Sequence, residues 1–296
     1  MPAIMYYFVY GLLYIVSLLP LRILFLFSDL FYFIIYYVIR YRKKVVFYNL
    51  GIAFPDKTEK ERIKIARQFY KNFTDTFFET IKIISVSVDY INKHFASDYS
   101  IFHELKKQGK KCQVHLGHNF NWEMGNLAFA SSVKQHYIVV YMPVENKIFD
   151  RIFKKIRTRT GAILLPATHL RNAIIPWRNT QYIMALVADQ NPAVPSNAFW
   201  INFFGKPTPF LKGPESGSKG SDMAVVFGYF IKPKRGYYIA HFELAEENGG
   251  SLKKGELTQK YVKYLEKVIS AHPEMWLWSH RRWKFEWKPE YGPVLS

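Results

Sequence analysis

The sequence predicts an α/β fold, a mixed central sheet flanked by helices, with an N-terminal membrane-associated helical segment. Three observations lead there. From residue 112 onward, apolar runs of strand length alternate with segments of helical period, the order that builds βαβ units. The first forty residues are two apolar runs carrying very little charge. The remainder of the 296 residues shows no marked linker and is long enough for one substantial core. The expected division is an anchor over residues 1–44 and a single α/β domain over residues 45–296.

Residues 5–20 are apolar apart from one serine, and after Arg22 a second run, residues 23–39, is interrupted only by Ser28 and Asp29. The run ends in Arg40-Tyr41-Arg42-Lys43-Lys44, whereas no basic side chain precedes Arg22. This asymmetry places the body on the cytoplasmic side of a membrane. A cleaved signal peptide is disfavoured, because the start lacks a basic region and the apolar stretch is too long. Arg22 and Asp29 would be costly at a bilayer centre, so an in-plane or re-entrant hairpin competes with a full span.

Beyond the break at Pro55-Asp56, residues 57–86 read as one or two amphipathic helices, with Ile65, Ala66, Phe69 and Tyr70 among the apolar positions. A basic turn, residues 106–111, precedes a strand over 112–117 and a helix opening near 124. A second unit follows: strand 137–141, basic helix 147–157, strand 163–165. A helix over 170–179, shortened by Pro176, leads to the strongest strand candidate, 182–187. Residues 189–222 are rich in Pro, Gly, Ser and Asn and read as a functional loop. Strands 224–232 and 237–245 and a helix over 257–270 complete the domain.

The charge balance, 41 Lys+Arg against 23 Asp+Glu, leaves +18 and draws the protein towards anionic lipid, acidic protein or nucleic acid. Residues 272–284 interleave tryptophan with Arg and Lys, a pattern that can also stack on bases. The apolar N-terminus makes anionic membrane lipid the favoured partner, and no nucleic acid is expected. One cysteine, Cys112, excludes an intrachain disulfide framework and a multi-cysteine zinc site, and no metal-ligand spacing occurs. Cys112 reads as a small packed group in its strand, with a nucleophilic role as the alternative.

The chemistry concentrates in His118-Asn119-Phe120-Asn121-Trp122-Glu123, which follows the apolar run at 112–117. An imidazole titrates near neutral pH, and a carboxylate on its second nitrogen fixes the tautomer and stabilises the imidazolium formed when the ring takes a proton from an alcohol. His118 is therefore the candidate base and Glu123 its candidate orienting acid. Spacing alone is weak, since about one chance match is expected for nine histidines at ordinary acid frequencies. His241 and Glu246 match too, but they lie in an alternating strand running into a polar turn. Within one continuous helix, residues five apart diverge by about 140 degrees, so the pair requires a turn or helix start near His118.

Four elements together resemble the late acyltransferases of lipid A biosynthesis, within the lysophospholipid acyltransferase-like superfamily. These are the apolar start followed by Asn49-Leu50 and Phe54-Pro55, the His118 to Glu123 core, Asp189-Gln190 with Phe203-Phe204-Gly205, and the tail from Pro273 to Lys284. The resemblance runs through almost the whole chain. It implies transfer of a fatty acyl group from acyl carrier protein, or from acyl-coenzyme A, to a hydroxyl of a membrane glycolipid. It implies no cofactor and no metal, and a bacterial inner membrane location with the catalytic domain on the cytoplasmic face. Arg159 resembles the family's basic position, stabilising an oxyanion or binding acceptor phosphate, with Arg157 as its substitute. Asp189 and Gln190 resemble a loop that orients Arg159 or the acceptor sugar. Pro214-Glu215-Ser216 departs from the superfamily's Pro-Glu-Gly element, which puts a phosphate-loop role for Glu215 in doubt. Two other readings stay open: an acyltransferase for a lysophospholipid, aminolipid or other glycolipid, and a basic membrane-tethered module that binds anionic lipid without turnover.

Overall fold

A computed structural model describes residues 2–219 and 223–295. The apolar start forms two helices, α1 (Pro2–Leu18) and α2 (Leu21–Phe33), and α2 continues through a π-helical turn, Ile34–Val38. After the basic residues come α3 (Lys43–Ala53) and α4 (Glu59–Lys82). Where the sequence allowed one or two helices, α4 is one. Its start is fixed by a capping box: Thr58 Oγ1 accepts from the Glu61 amide at 3.3 Å, and Glu61 Oε2 accepts from the Thr58 amide at 2.8 Å.

Helix α2 packs along α4. Leu24, Ser28 and Tyr32, four residues apart, are buried, whereas Leu26, Phe27, Leu30 and Phe33 are exposed. A polar seam joins the two helices. Ser28 donates to Asp75 Oδ1 at 2.8 Å, and Arg235 pairs with both Asp29 and Asp75, each at 2.7 Å. Asp29 is thus neutralised by the body of the protein.

The body continues as α5 (Val88–His94), β1 (Phe95–Ser97), α6 (Ser100–Lys107), β2 (Cys112–Leu116) and α7 (Trp122–Ser132). Next are β3 (His136–Tyr141), α8 (Lys147–Arg157), β4 (Ile163–Pro166), α9 (Leu170–Ala173) and β5 (Tyr182–Val187). The helix expected over 170–179 breaks after one turn into a 3₁₀ segment, Ile175–Trp177, because Pro176 has no amide hydrogen to donate. Strands β6 (Ala198–Phe203) and β7 (Lys206–Leu211), then α10 (Gly213–Lys219), occupy the stretch read as a loop. The domain ends with β8 (Ala224–Lys234), β9 (Tyr237–Glu246), α11 (Glu256–Ala271) and the short β10 (Val294–Leu295).

Seven strands form one mixed sheet in the order β1-β9-β8-β2-β5-β3-β4, in which β8 and β9 are the antiparallel pair. The second sheet, β10-β6-β7, was hidden by composition. Its hairpin turns at Phe204 and Gly205, with φ of 51° and 72°, and Pro207 and Pro209 sit on an edge strand, where a missing amide hydrogen is tolerated. In the main sheet β2 is central, every side chain of it buried, flanked in parallel by β5 and β8. Parallel strands covered on both faces tend to be apolar throughout, and β5 is; β2 departs from this with Gln113 and His115, both buried and hydrogen-bonded to each other at 2.8 Å.

Candidate active site

The two central strands end together. Leu116 of β2 stands beside Val187 of β5, and the Ala188 amide donates to the Leu116 carbonyl at 3.0 Å. Two residues further along each chain are His118 and Asp189, so the register alone brings them side by side. The His118 Nδ1 lies 2.5 Å from Asp189 Oδ1, and the His118 amide donates to Oδ2 at 2.8 Å. A third donor comes from the tail: Trp276 Nε1–H donates to Oδ2 at 2.7 Å. Burial pushes the Asp189 carboxyl up, but the charge of His118 and the hydrogen bonds of His118 and Trp276 more than offset this and hold it down at about 2. With a carboxylate at Nδ1, that nitrogen carries the hydrogen and Nε2 holds the basic lone pair. Gln190 Nε2 lies 3.0 Å from this Nε2 and donates to it.

Close packing supports the pair. Gly117 has no room for a side chain: a Cβ there would come within 2.9 Å of Leu265 and 3.3 Å of Asp189 Oδ2. Tyr261 of α11 donates to the Leu116 carbonyl at 2.7 Å, fixing the end of β2. The Phe120 amide donates to the Met275 carbonyl at 3.1 Å, so the C-terminal segment clamps the loop that carries His118.

Glu123, expected to orient His118, faces elsewhere. Asn121 caps α7, its Oδ1 accepting from the Met124 amide at 3.2 Å, and Glu123 in the first turn is directed at α8. There it takes a two-pronged ion pair from Arg157, 2.9 Å to Nε and 2.5 Å to Nη2. Burial draws the Arg157 pKa down, and the Glu123 carboxylate more than compensates, leaving it above the usual value. The helix start that was required near His118 is present, yet it turns the carboxylate away from the imidazole.

Arg159 is also displaced from its expected place. Its Nη1 donates to the carbonyls of Ile83 and Ile84 at 2.6 and 3.0 Å, closing the C-terminal end of α4. Arg157, the substitute position, lines the same cavity as His118. Asp189 and Gln190 both contact the imidazole directly, and neither orients Arg159.

The cavity holds about 340 Å³ and is walled largely by aromatic and aliphatic side chains, among them Tyr99, Phe129, Tyr137, Phe230 and Phe242. His118, Gln190, Glu123, Arg157 and Asn126 supply its charged, imidazole and amide groups. Gly125 lies in the wall, where a Cβ would meet Phe95 at 2.9 Å. Such a lining suits a hydrocarbon chain beside one basic nitrogen and one cation.

Other candidates fall away on position. Cys112 is buried and its thiol is pushed up by desolvation, so it forms no thiolate near neutral pH. Glu215 is buried and accepts from the Gly255 and Thr258 amides at 2.6 and 3.1 Å, which makes it the N-terminal anchor of α11. His241 stacks on Tyr229, while Glu246 pairs with Lys260. Among the described residues no three His, Cys, Asp or Glu side chains gather as a metal site.

Trp276 is the contributor that sequence reasoning missed, because residues 272–284 show only tryptophan interleaved with Arg and Lys. No local pattern ties an indole to a carboxylate 87 residues earlier. No curated protein matches the chain. A family model, bacterial lipid A biosynthesis acyltransferase, matches residues 1–285. That match spans nearly every element just described, from α1 to the tryptophan tail, and the chain belongs to the bacterial lipid A biosynthesis acyltransferase family.

Proposed function

We propose that this acyltransferase moves a fatty acyl chain from an acyl thioester, carried on acyl carrier protein or coenzyme A, to a hydroxyl of a lipid A precursor. His118 is the general base, and Asp189, in place of Glu123, is its orienting carboxylate. The observation that carries this reading is the short contact between His118 Nδ1 and the buried Asp189, which leaves Nε2 basic in an apolar cavity.

In the reaction, Nε2 takes the proton of the acceptor hydroxyl as its oxygen attacks the thioester carbonyl. Before the acceptor arrives, Gln190 occupies Nε2, and the incoming hydroxyl replaces that amide. The tetrahedral intermediate collapses with cleavage of the C–S bond, and the imidazolium returns its proton to the departing thiolate. Asp189 stabilises the imidazolium between these two transfers. Arg157, held by Glu123, supplies positive charge at the cavity wall for the oxyanion. The aromatic wall takes the acyl chain.

The apolar helices attach the enzyme to the cytoplasmic face of the bacterial inner membrane, with residues 1–44 as the anchor. An in-plane placement fits α2 better than a full span. One face of the helix is committed to α4 through Ser28 and Asp29, while the other presents Leu26, Phe27, Leu30 and Phe33.

The test is mass spectrometry of lipids from cells with and without the protein, complemented by His118→Ala. Loss of one acyl chain from lipid A, restored by the wild type and not by the variant, is the expected result. Restoration by the variant would remove His118 from the mechanism, and an unchanged lipid A with an altered phospholipid or aminolipid profile would replace the acceptor.

A further inference from the structure

A second cavity, about 470 Å³, opens between α3 and the segment that follows α11. Its walls include Lys44, Tyr48, Asn49, Arg281, Trp283 and Lys284, and none of its lining residues is acidic. Among the described residues, Lys44, Arg281 and Lys284 form no ion pair. A fourth cation joins them, since Lys206 Nζ donates to the Tyr48 hydroxyl at 3.1 Å. Three unpaired cations around one concavity raise its positive potential, and an anion entering it relieves that repulsion. A phosphate ester suits this set, with the planar fork of Arg281 and the point charges of the lysines sharing its oxygens. The size admits a sugar phosphate and excludes a folded partner.

Two features of position sharpen the assignment. Lys44 ends the basic stretch Arg40 to Lys44 that follows the apolar helices, which the proposed membrane attachment would place near lipid headgroups. The cavity is also built onto the loop that carries the His118 partner. Asn191, two residues after Asp189, donates to the Arg281 carbonyl at 2.8 Å and accepts from Arg282 Nη1 at 2.6 Å. Asn49 ties the opposite wall to the same segment, donating to the carbonyls of Trp278 and His280 at 2.8 and 2.7 Å. Its Oδ1 is buried and has no hydrogen-bond donor among the described residues.

We infer that this cavity binds a phosphate ester on the headgroup of the glycolipid acceptor, holding the sugar while its hydroxyl meets His118. The inference rests on the acceptor class proposed above. Its occupant is separate from the acyl chain in the aromatic cavity.

The experiment compares wild type, the triple variant Lys44→Ala/Arg281→Ala/Lys284→Ala, and an equal-charge control, Lys107→Ala/Lys253→Ala/Lys267→Ala, on lipid A precursor with and without its headgroup phosphates. Tryptophan-fluorescence titration of the detergent-solubilised protein with either glycolipid, and with phosphatidylglycerol, measures binding without turnover. The triple variant is expected to raise KM for the phosphorylated acceptor at least tenfold with kcat within about twofold. It should leave the dephosphorylated acceptor and phosphatidylglycerol binding unchanged, and the control should match wild type throughout. An equal loss on both acceptors, or an equal loss on phosphatidylglycerol, would overturn the inference in favour of general damage or a bulk-lipid contact. Should the triple variant misfold by circular dichroism, Lys284→Glu alone is expected to show the same acceptor-selective rise in KM, and its absence would overturn the inference. Phosphate-selective binding by a wild type that turns over no glycolipid would sustain the cavity and sink the proposed reaction.

Discussion

His118 bonds a carboxylate that lies 71 residues away and ignores the one five residues away. The two acids should therefore separate kinetically. Asp189→Asn removes the charge that stabilises the imidazolium and fixes its tautomer, so kcat is expected to fall by roughly 10³ to 10⁴ with KM little changed. Glu123→Gln instead leaves Arg157 without its partner and should cost on the order of 3 kcal/mol in urea unfolding, with a smaller fall in kcat. A kcat for Glu123→Gln as low as that of Asp189→Asn would reverse the assignment. The depressed carboxyl of Asp189 adds a pH signature. Its folded pKa, about 2, lies below the ordinary 3.8, so its stabilisation is fully present above about pH 4 and is lost as pH falls towards 2. That difference corresponds to roughly 2 kcal/mol, and the stability gap between wild type and Asp189→Asn should narrow by about this much across the window. A constant gap would show that the pair does not titrate in this way.

At the scale of elements, α4 is the support on which the rest of the site leans. Its start is capped by Thr58 and its end is closed by Arg159. Along its length it carries α2, and Glu79 near its end accepts from Asn121 Nδ2 at 3.0 Å, behind the His118 loop. Thr58→Ala is expected to lower unfolding stability by about 1 kcal/mol, the usual cost of a lost cap, with kcat unchanged. Chemical denaturation and steady-state kinetics on the same preparation check both parts. Element boundaries were largely legible. Strands β2, β3 and β5 and helices α8 and α11 fell within a residue or two of expectation, because burial on both faces or a strong apolar period writes itself into the order of residues. The β6–β7 hairpin was not legible: its prolines and glycine look like loop composition, and only pairing along an outer edge makes them tolerable.

Across the whole molecule, the apolar face proposed for membrane attachment and the cavity proposed for the reaction lie on different surfaces. The exposed residues of α2 face away from α4, while the His118 cavity opens among β2, β5, α7 and α8. Leu26→Glu/Leu30→Glu is expected to release the protein from membranes in flotation while turnover in detergent micelles stays within about threefold of wild type. A variant that still floats would move the membrane contact off this face.

Taken alone, the sequence determined the class of fold, the apolar N-terminal runs with their basic exit, the strand that presents His118, and the resemblance that the family match bears out. Each is written in residues close together in the chain, through period, composition or a short motif. Tertiary structure decided which carboxylate contacts the histidine, that Arg159 closes a helix while Arg157 reaches the cavity, and that an indole from the tail bonds Asp189. Those outcomes depend on the register of two parallel strands and on the packing of a C-terminal segment against them. Spacing along the chain carries neither, because residues far apart in sequence become neighbours only when the sheet has formed.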